Sequence, residues 1–343
     1  MTGLTDQRVG VEPLTTRMWA EPGQDFAGIR RVELPIPFPP GSVNMYLVPV
    51  EDGWIVVDCG LNAHRFEVAY EMAGFPWSGI RQIILTHVHP EHSGLAAWLH
   101  RQTGAPVRMH RREQEVLHSL RDPEPWIDWQ DGVLARACVP ADTRYSIRAA
   151  TRALRSFYPD VAADSFIEDG DIIPTALGPM QALLTPGHSP GHLCFYFPRQ
   201  RILLSGDQLL RASSPQLEWY SEGCALQDFR NSLRKIAQLD VEWVLPGHGR
   251  SYRGHNERTD SLLEHSADME NRIHAMWAQG VHSPHDLATA AWRISLPPFE
   301  HRNAVFEVLA YLQQPQSGLE GARAGTSWFS LAEATMPLAQ AYG

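Results

Sequence analysis

The stretch LTHVHPEHSG, residues 85–94, places His87, His89, Glu91 and His92 within six positions, directly behind the apolar run Ile83, Ile84 and Leu85. Imidazole is a poor filler for a core, and protonated imidazoles held side by side repel one another. Crowding becomes favourable when their lone pairs converge on a cation. The strand-end pattern then recurs: apolar LLTP runs into Gly187-His188, ILLSG into Asp207, and WVLPG into His248. Four apolar runs thus each deliver a metal-compatible side chain where the run stops. Strands of one sheet end along a common edge, where such donors can meet although they are far apart in the chain.

The donors are five imidazoles, His87, His89, His92, His188 and His248, and two carboxylates, Glu91 and Asp207. Seven groups exceed what one tetrahedral ion takes and suit two ions sharing a bridge. Imidazole with carboxylate and no thiolate points to zinc, with iron or manganese also compatible. The four cysteines, Cys59, Cys138, Cys194 and Cys224, are scattered and form no CxxC, so they supply neither a disulfide framework nor a thiolate knuckle.

Elements able to position these donors follow from periodicity and punctuation. IRRVELPI, VNMYLVPV and WIVVDCG, separated by PFPPGS and EDG, read as a meander of strands. Helical spacing appears in HRFEVAYEMA, and the IIL strand then runs into the histidines. SGLAAWLHRQ and RREQEVLHSL read as helices flanking a short strand, PVRMH. Residues 120–165, rich in aromatics and prolines, interrupt the strand rhythm as an insertion. Three strands joined by tight turns follow, MQALLTP, HLCFYFP and RILLSGD, then a helix over DFRNSLRKIAQL and a final strand, EWVLPGH. From about residue 254 only helices are expected: a long one ending before Gly280, one opened by Ser283 with Asp286 three positions on, and one over Asn303–Leu312. The expected division is a tail over 1–22, an α/β body over 23–253 with its 120–165 insertion as a lid, and a helical region over 254–343.

The length of 343 residues allows one large domain or two smaller ones. A formal charge of −10, from 29 basic and 39 acidic side chains, argues against tracking a nucleic-acid backbone by bulk electrostatics. No stretch approaches the roughly 18 apolar residues that span a bilayer, and the first residues lack an apolar segment behind a basic end. A cytoplasmic protein with no membrane segment is expected.

Taken in order, THVHPEHSG, TPGHSPGH, LLSGDQL and VLPGHG resemble the signature of the metallo-β-lactamase superfamily: HxHxDH, a distal His, a bridging Asp and a final His, on loops at one edge of an αββα sandwich. The resemblance covers about residues 28–250. The PIPFPPGSVNMYLV segment and the helical C-terminal region are similar, more loosely, to the β-lactamase-like protein 2 group. The resemblance implies an α/β fold of αββα type with a helical C-terminal region. It implies that His87, His89 and His188 hold the first of two Zn2+ ions, that His92 and His248 hold the second, and that Asp207 bridges them. The implied chemistry is hydrolysis, a metal-bound hydroxide attacking an activated carbonyl, with Glu91 orienting it. Asp58, closing WIVVD, matches the carboxylate that fixes a ligand imidazole in its binding tautomer; its plainer reading is a turn former before Cys59-Gly60. One position departs from the signature, since Glu91 stands where the superfamily has Asp. One methylene longer, it either reaches the second ion after a backbone adjustment or overshoots and leaves a single firmly held metal.

The expected substrate is a small-molecule thioester, lactone or ester. Three alternatives compete: a phosphodiesterase or ribonuclease of the same fold, a mono-iron sulfur dioxygenase, and a metal-binding protein whose centre Glu91 has impaired. Residues that bind substrate are not legible. Trp126 and Trp129 share a helical face and either staple the insertion to the body or roof the cleft. The long C-terminal helix serves as a homodimer surface or as a cover for the sandwich. His192 is expected to pack near the site without ligating, and His100, His110, His118, His265 and His274 to carry no chemistry.

Overall fold

Alternation along the apolar runs decides the architecture of the computed structural model, which describes residues 25–62, 79–220, 223–292 and 296–313. The expected tail, the helix over HRFEVAYEMA and the last thirty residues lie outside the described residues. β1 (Asp25–Phe26), β2 (Ile29–Pro35), β3 (Ser42–Val50) and β4 (Gly53–Val57) form the antiparallel meander, and β5 (Ile80–Ile84) pairs with β4 in parallel. Helices α1 (Pro90–Ser93) and α2 (Ala96–Thr103) lead to β6 (Val107–Met109). Then α3 (Arg111–Ser119), α4 (Pro123–Arg136) and α5 (Ala141–Arg155) precede β7 (Ser165–Phe166), which closes a seven-stranded sheet.

The second sheet holds β8 (Ile172–Thr175), β9 (Gly178–Leu184), β10 (Leu193–Phe197), β11 (Ile202–Gly206) and β12 (Trp243–Pro246), in the order β12-β11-β10-β9-β8. Only β11 and β12 run parallel in it, and their crossover carries α6 (Ala225–Ala237). The chain continues through α7 (His255–Ala278), α8 (Pro284–Trp292) and α9 (Pro298–Leu312).

Successive residues of a strand face opposite sides, and here both sides are apolar. In β3, Tyr46 and Val48 face the second sheet while Met45 and Leu47 face outward; in β10, Phe195 and Phe197 face the first sheet while Cys194 and Tyr196 face outward. The middle layer joins Tyr46, Ile55, Val57 and Ile84 to Met180, Phe195 and Leu204. Outside the first sheet, Leu99 of α2 and Leu117 of α3 cover Leu47, Val56 and Ile83. Outside the second, α6 and α7 contribute Phe229, Leu233, Leu262 and Ile273, in one cluster with Val133 of α4 and Phe306 of α9. Two sheets face to face with helices on both outer sides make an αββα sandwich. The buried face of α7 covers its sandwich.

Several sequence expectations need correction. The helix expected over SGLAAWLHRQ begins at Ala96, since Ser93 ends the preceding turn α1; between them the chain passes so close to Asn62 that a Cβ on Gly94 would lie 2.3 Å from its amide nitrogen. The helix expected over Asn303–Leu312 begins earlier, at Pro298, with proline filling its first turn. The β9–β10 connection is no tight turn but an eight-residue loop, Thr185 to His192. Strand β8 carries no clear strand signal because it contains Pro174 and exposes Ile172, features of the sheet edge it forms. Ser283 caps α8 as its spacing predicts, its hydroxyl accepting the Asp286 amide hydrogen at 3.1 Å.

Candidate metal centre

Past Ile84 the chain leaves β5 and carries Leu85 and Thr86 to His87, fully buried. Pro90 then opens the single turn of α1, and the amide of His92 donates to the carbonyl of His89 at 2.9 Å, so both rings turn into the same cleft. The strands that end here belong to both sheets, which corrects the single-edge expectation: β5 lies in the first, while β9, β11 and β12 lie in the second. The donors therefore meet across the seam between the sheets. Backbone bonds close that seam, Leu193 N–H to the Thr86 carbonyl at 2.8 Å and Asn44 N–H to the Gly247 carbonyl at 2.7 Å.

All seven sequence-predicted donors come together. Potential ligand atoms group as His87, His89 and His188; as His87, His92 and Asp207; and as Glu91, His92 and His248, each set within 4.8 Å. His188 Nε2 stands 3.3 Å from His87 Nε2 and 3.1 Å from His89 Nδ1. His92 Nε2 stands 3.3 Å from His248 Nε2. The Asp207 carboxylate lies between these clusters: Oδ2 is 3.2 Å from His248 Nε2 and 3.7 Å from His188 Nε2, and Oδ1 is 3.4 Å from His92 Nε2.

Hydrogen bonds on the far side of each ring fix where its lone pair points. His92 Nδ1–H donates to Asp58 Oδ2 at 2.8 Å, His188 Nδ1–H to the Gln216 carbonyl at 2.9 Å, and His248 Nδ1–H to the Ser42 carbonyl at 2.6 Å. Thr86 Oγ1 gives its proton to Asp58 at 2.9 Å and so accepts from His87 Nδ1–H, also at 2.9 Å. Four Nε2 lone pairs consequently face inward with no proton fixed between them. Asp207 Oδ1, buried, receives no hydrogen bond. Orphaned buried acceptors at this density are costly, and a pair of divalent cations would satisfy them. This donor set suits a dinuclear metal site.

The profile of the Metallo-beta-lactamase superfamily matches residues 38–248. The chain belongs to that superfamily. Among similar proteins, the probable metallo-hydrolase YqjP of Bacillus subtilis is 29% identical over 237 residues, 64% of this chain and 70% of that one. The acyl-coenzyme A thioesterase MBLAC2 of Gallus gallus is 28% identical over 219 residues, 60% of this chain and 72% of its own length. The crystal structure of a metallo-beta-lactamase family protein from Thermus thermophilus superposes with a TM-score of 0.73 at 26% identity, covering 83% of this chain and 92% of that chain.

Against the superfamily signature, the extra methylene of Glu91 does not carry its carboxylate out of the cleft, since it groups with His92 and His248. Asp58 is 2% exposed, with a φ of 58°, and accepts from Thr86 N at 2.8 Å as well as from His92. His192 joins none of the ligand groups: its Nε2 accepts the Asp207 amide hydrogen at 3.1 Å, which engages the lone pair a metal would need. Burial, then the neighbouring imidazoles, hold His87 and His89 well below the ordinary histidine pKa, against Asp207; Arg302 adds a smaller push in the same direction at His89. For His92 and His248 burial pulls down too, but Asp207, with Asp58 at His92, raises both. Burial would raise Asp207, but His248 and His92 hold it well below the usual carboxylate range. The second cluster thus calls for positive charge, and the first offers neutral lone pairs.

Of the groups that orient the rings, Asp58 is the one expected from the sequence; three others were missed. Thr86 lies inside LTHVHPEHSG and is the one detectable signal among them. Ser42 and Gln216 act through backbone carbonyls, which leave no trace in residue type. Glu113 on α3 accepts Val88 N–H at 2.9 Å, Ser189 Oγ–H at 2.8 Å and Gly191 N–H at 2.7 Å, joining the two loops of the first cluster. Trp129 stacks with Trp219 at 6.0 Å, and Trp126 lies beside Arg302 at 5.8 Å, so both tie α4 to its neighbours.

Proposed function

We propose that this protein is a zinc-dependent hydrolase of activated acyl groups, thioesters first, with lactones and esters as neighbouring substrates. The observation that carries the reading is the Asp207 carboxylate standing between two donor clusters, within 3.7 Å of the ring nitrogens of His188, His92 and His248. Divalent ions held there would acidify a water molecule and stabilise negative charge growing on a carbonyl oxygen. The ligands would be His87, His89 and His188 at one ion, Glu91, His92 and His248 at the other, with Asp207 shared.

The chain's own residues then divide the work. Asp58, Ser42, Gln216 and Thr86 keep four rings from turning. Glu91, half-buried at the cleft, takes the proton of the attacking water on its carboxylate and returns it to the leaving sulfur, as the acyl–sulfur bond breaks and an acyl–oxygen bond forms. The preference for thioesters is supported by the acyl-coenzyme A thioesterase among the similar proteins. Narrower kinship with the β-lactamase-like protein 2 group is part of the same proposal, supported by the PIPFPPGSVNMYLV segment and the helices beyond residue 254. The net charge of −10 favours a small acyl substrate over a phosphodiester polymer.

Steady-state turnover of thioester, lactone and ester panels, before and after a chelator, tests the reading. Hydrolysis that chelation abolishes and added zinc restores is expected. Turnover indifferent to the chelator, or cleavage of single-stranded RNA with every acyl substrate untouched, would sink it.

A further inference from the structure

Arg302 of α9 is 3% exposed, an unusual place for a charge. Its guanidinium forks onto one carboxylate, Nη1 to Glu218 Oε2 at 2.8 Å and Nη2 to Glu218 Oε1 at 2.5 Å. Nε donates to Gln130 Oε1 of α4 at 3.0 Å, Nη1 also reaches Asn303 Oδ1 at 3.1 Å, and the plane lies 3.9 Å from the Phe306 ring centre. A buried fork of this kind fixes the geometry of its partner as well as neutralising it.

That partner sits beside the first donor cluster. Glu218 lies in an irregular segment whose Leu217 and Trp219 are buried in the apolar cluster. On its polar side, Glu218 N–H donates to the Gly187 carbonyl at 3.3 Å, and the Gln216 carbonyl accepts His188 Nδ1–H at 2.9 Å. An unbroken series of contacts therefore leads from α9 through one ion pair to the ring nitrogen opposite a ligand lone pair.

We infer that Arg302 is a positioning residue for the metal centre: through Glu218 it holds the Gln216 carbonyl that sets the tautomer and direction of His188. The inference rests on the metal-centre reading above. It gives the C-terminal helices a task at the site, since α9 supplies the arginine and α4 the glutamine that steadies it.

Cobalt(II) titration of the metal-stripped chain, followed by its visible absorption and by metal equivalents bound, tests this. Wild type should take up two equivalents. Arg302→Lys, which keeps the charge and loses the fork, and Glu218→Gln should each bind one equivalent about 10- to 100-fold more weakly and the other as wild type does. The loss should persist in a His248→Ala background, where only the first cluster remains. The two changes combined should cost no more than the larger alone, since both break one contact. Glu300→Gln, exposed on the same helix, should change nothing. If Arg302→Lys and Glu218→Gln lower the melting temperature yet bind both equivalents with wild-type affinity, Arg302 is core packing alone and the inference falls. If wild type itself takes up no metal, the metal-centre reading fails first. Should Glu218→Gln not fold, Arg302→Lys carries the comparison, with far-UV circular dichroism as the check.

Discussion

Glu113 lies on α3, away from every histidine motif in the chain, yet its carboxylate joins the loop carrying His87 and His89 to the loop carrying His188. It is fully buried, and burial pushes its pKa up to about 7 against the three hydrogen bonds it accepts. In the unfolded chain the same group titrates near 4.5. Between those values the native state keeps a proton that the unfolded state has released, so this group's contribution to stability falls as pH rises through the window, by about 3 kcal/mol over its full width. Glu113→Gln removes the titration and leaves an amide whose N–H groups face donors. Urea unfolding in chelator from pH 5 to 8 should show the variant less stable than wild type at pH 5, with the gap narrowing by pH 7.5. Parallel curves for the two proteins would refute this. The histidines and Asp207 were legible because ligands must be of a few residue types. Glu113 was not, because a buried glutamate on a helix looks like any surface glutamate until the fold closes over it.

At the scale of elements, the sandwich was written in apolar runs: β3, β4, β5, β9, β10, β11 and β12 all fall where runs of Val, Ile, Leu and Phe stand between turn residues. What the runs could not give was the partition into sheets, because a strand covered on both faces carries no mark of which side its neighbour lies on. The strand ends hold a further constraint in Gly247. A Cβ there would lie 2.2 Å from Asp207 Oδ1 and 2.7 Å from His92 Cε1, so the turn between β12 and His248 has room only for hydrogen. Gly247→Ala must displace the Asp207 carboxylate, at about 1–3 kcal/mol of overpacking, and should lose at least one of the two metal equivalents. Gly249→Ala separates this effect from backbone strain. Its φ is 75° but its Cβ would meet nothing within 4 Å, so it should cost roughly 1–2 kcal/mol while binding both equivalents. Equal metal content in the two variants would contradict the close-approach argument.

Over the whole molecule, three apolar layers run through the sandwich without passing through the metal centre: one between the sheets and one outside each. Their burial is independent of any ion, so the stripped protein should keep its secondary structure, unlike small domains whose fold is the metal site itself. Metal binding then adds stability by mass action. At a free zinc concentration a hundredfold above the dissociation constant, each ion contributes about 2.7 kcal/mol, or roughly 4 °C in melting temperature for a chain of this length. Two clusters sharing Asp207 should give about twice that rise in wild type. His248→Ala, which removes one ring from the second cluster, should retain about half of it, and Asp207→Ala less still, because that carboxylate stands within 3.7 Å of rings in both clusters. Differential scanning calorimetry of stripped and zinc-loaded protein reads these shifts directly. A stripped protein that has lost its far-UV signal would mean the layers lean on the ions after all. A zinc-induced rise as large in His248→Ala as in wild type would mean the second cluster holds no ion.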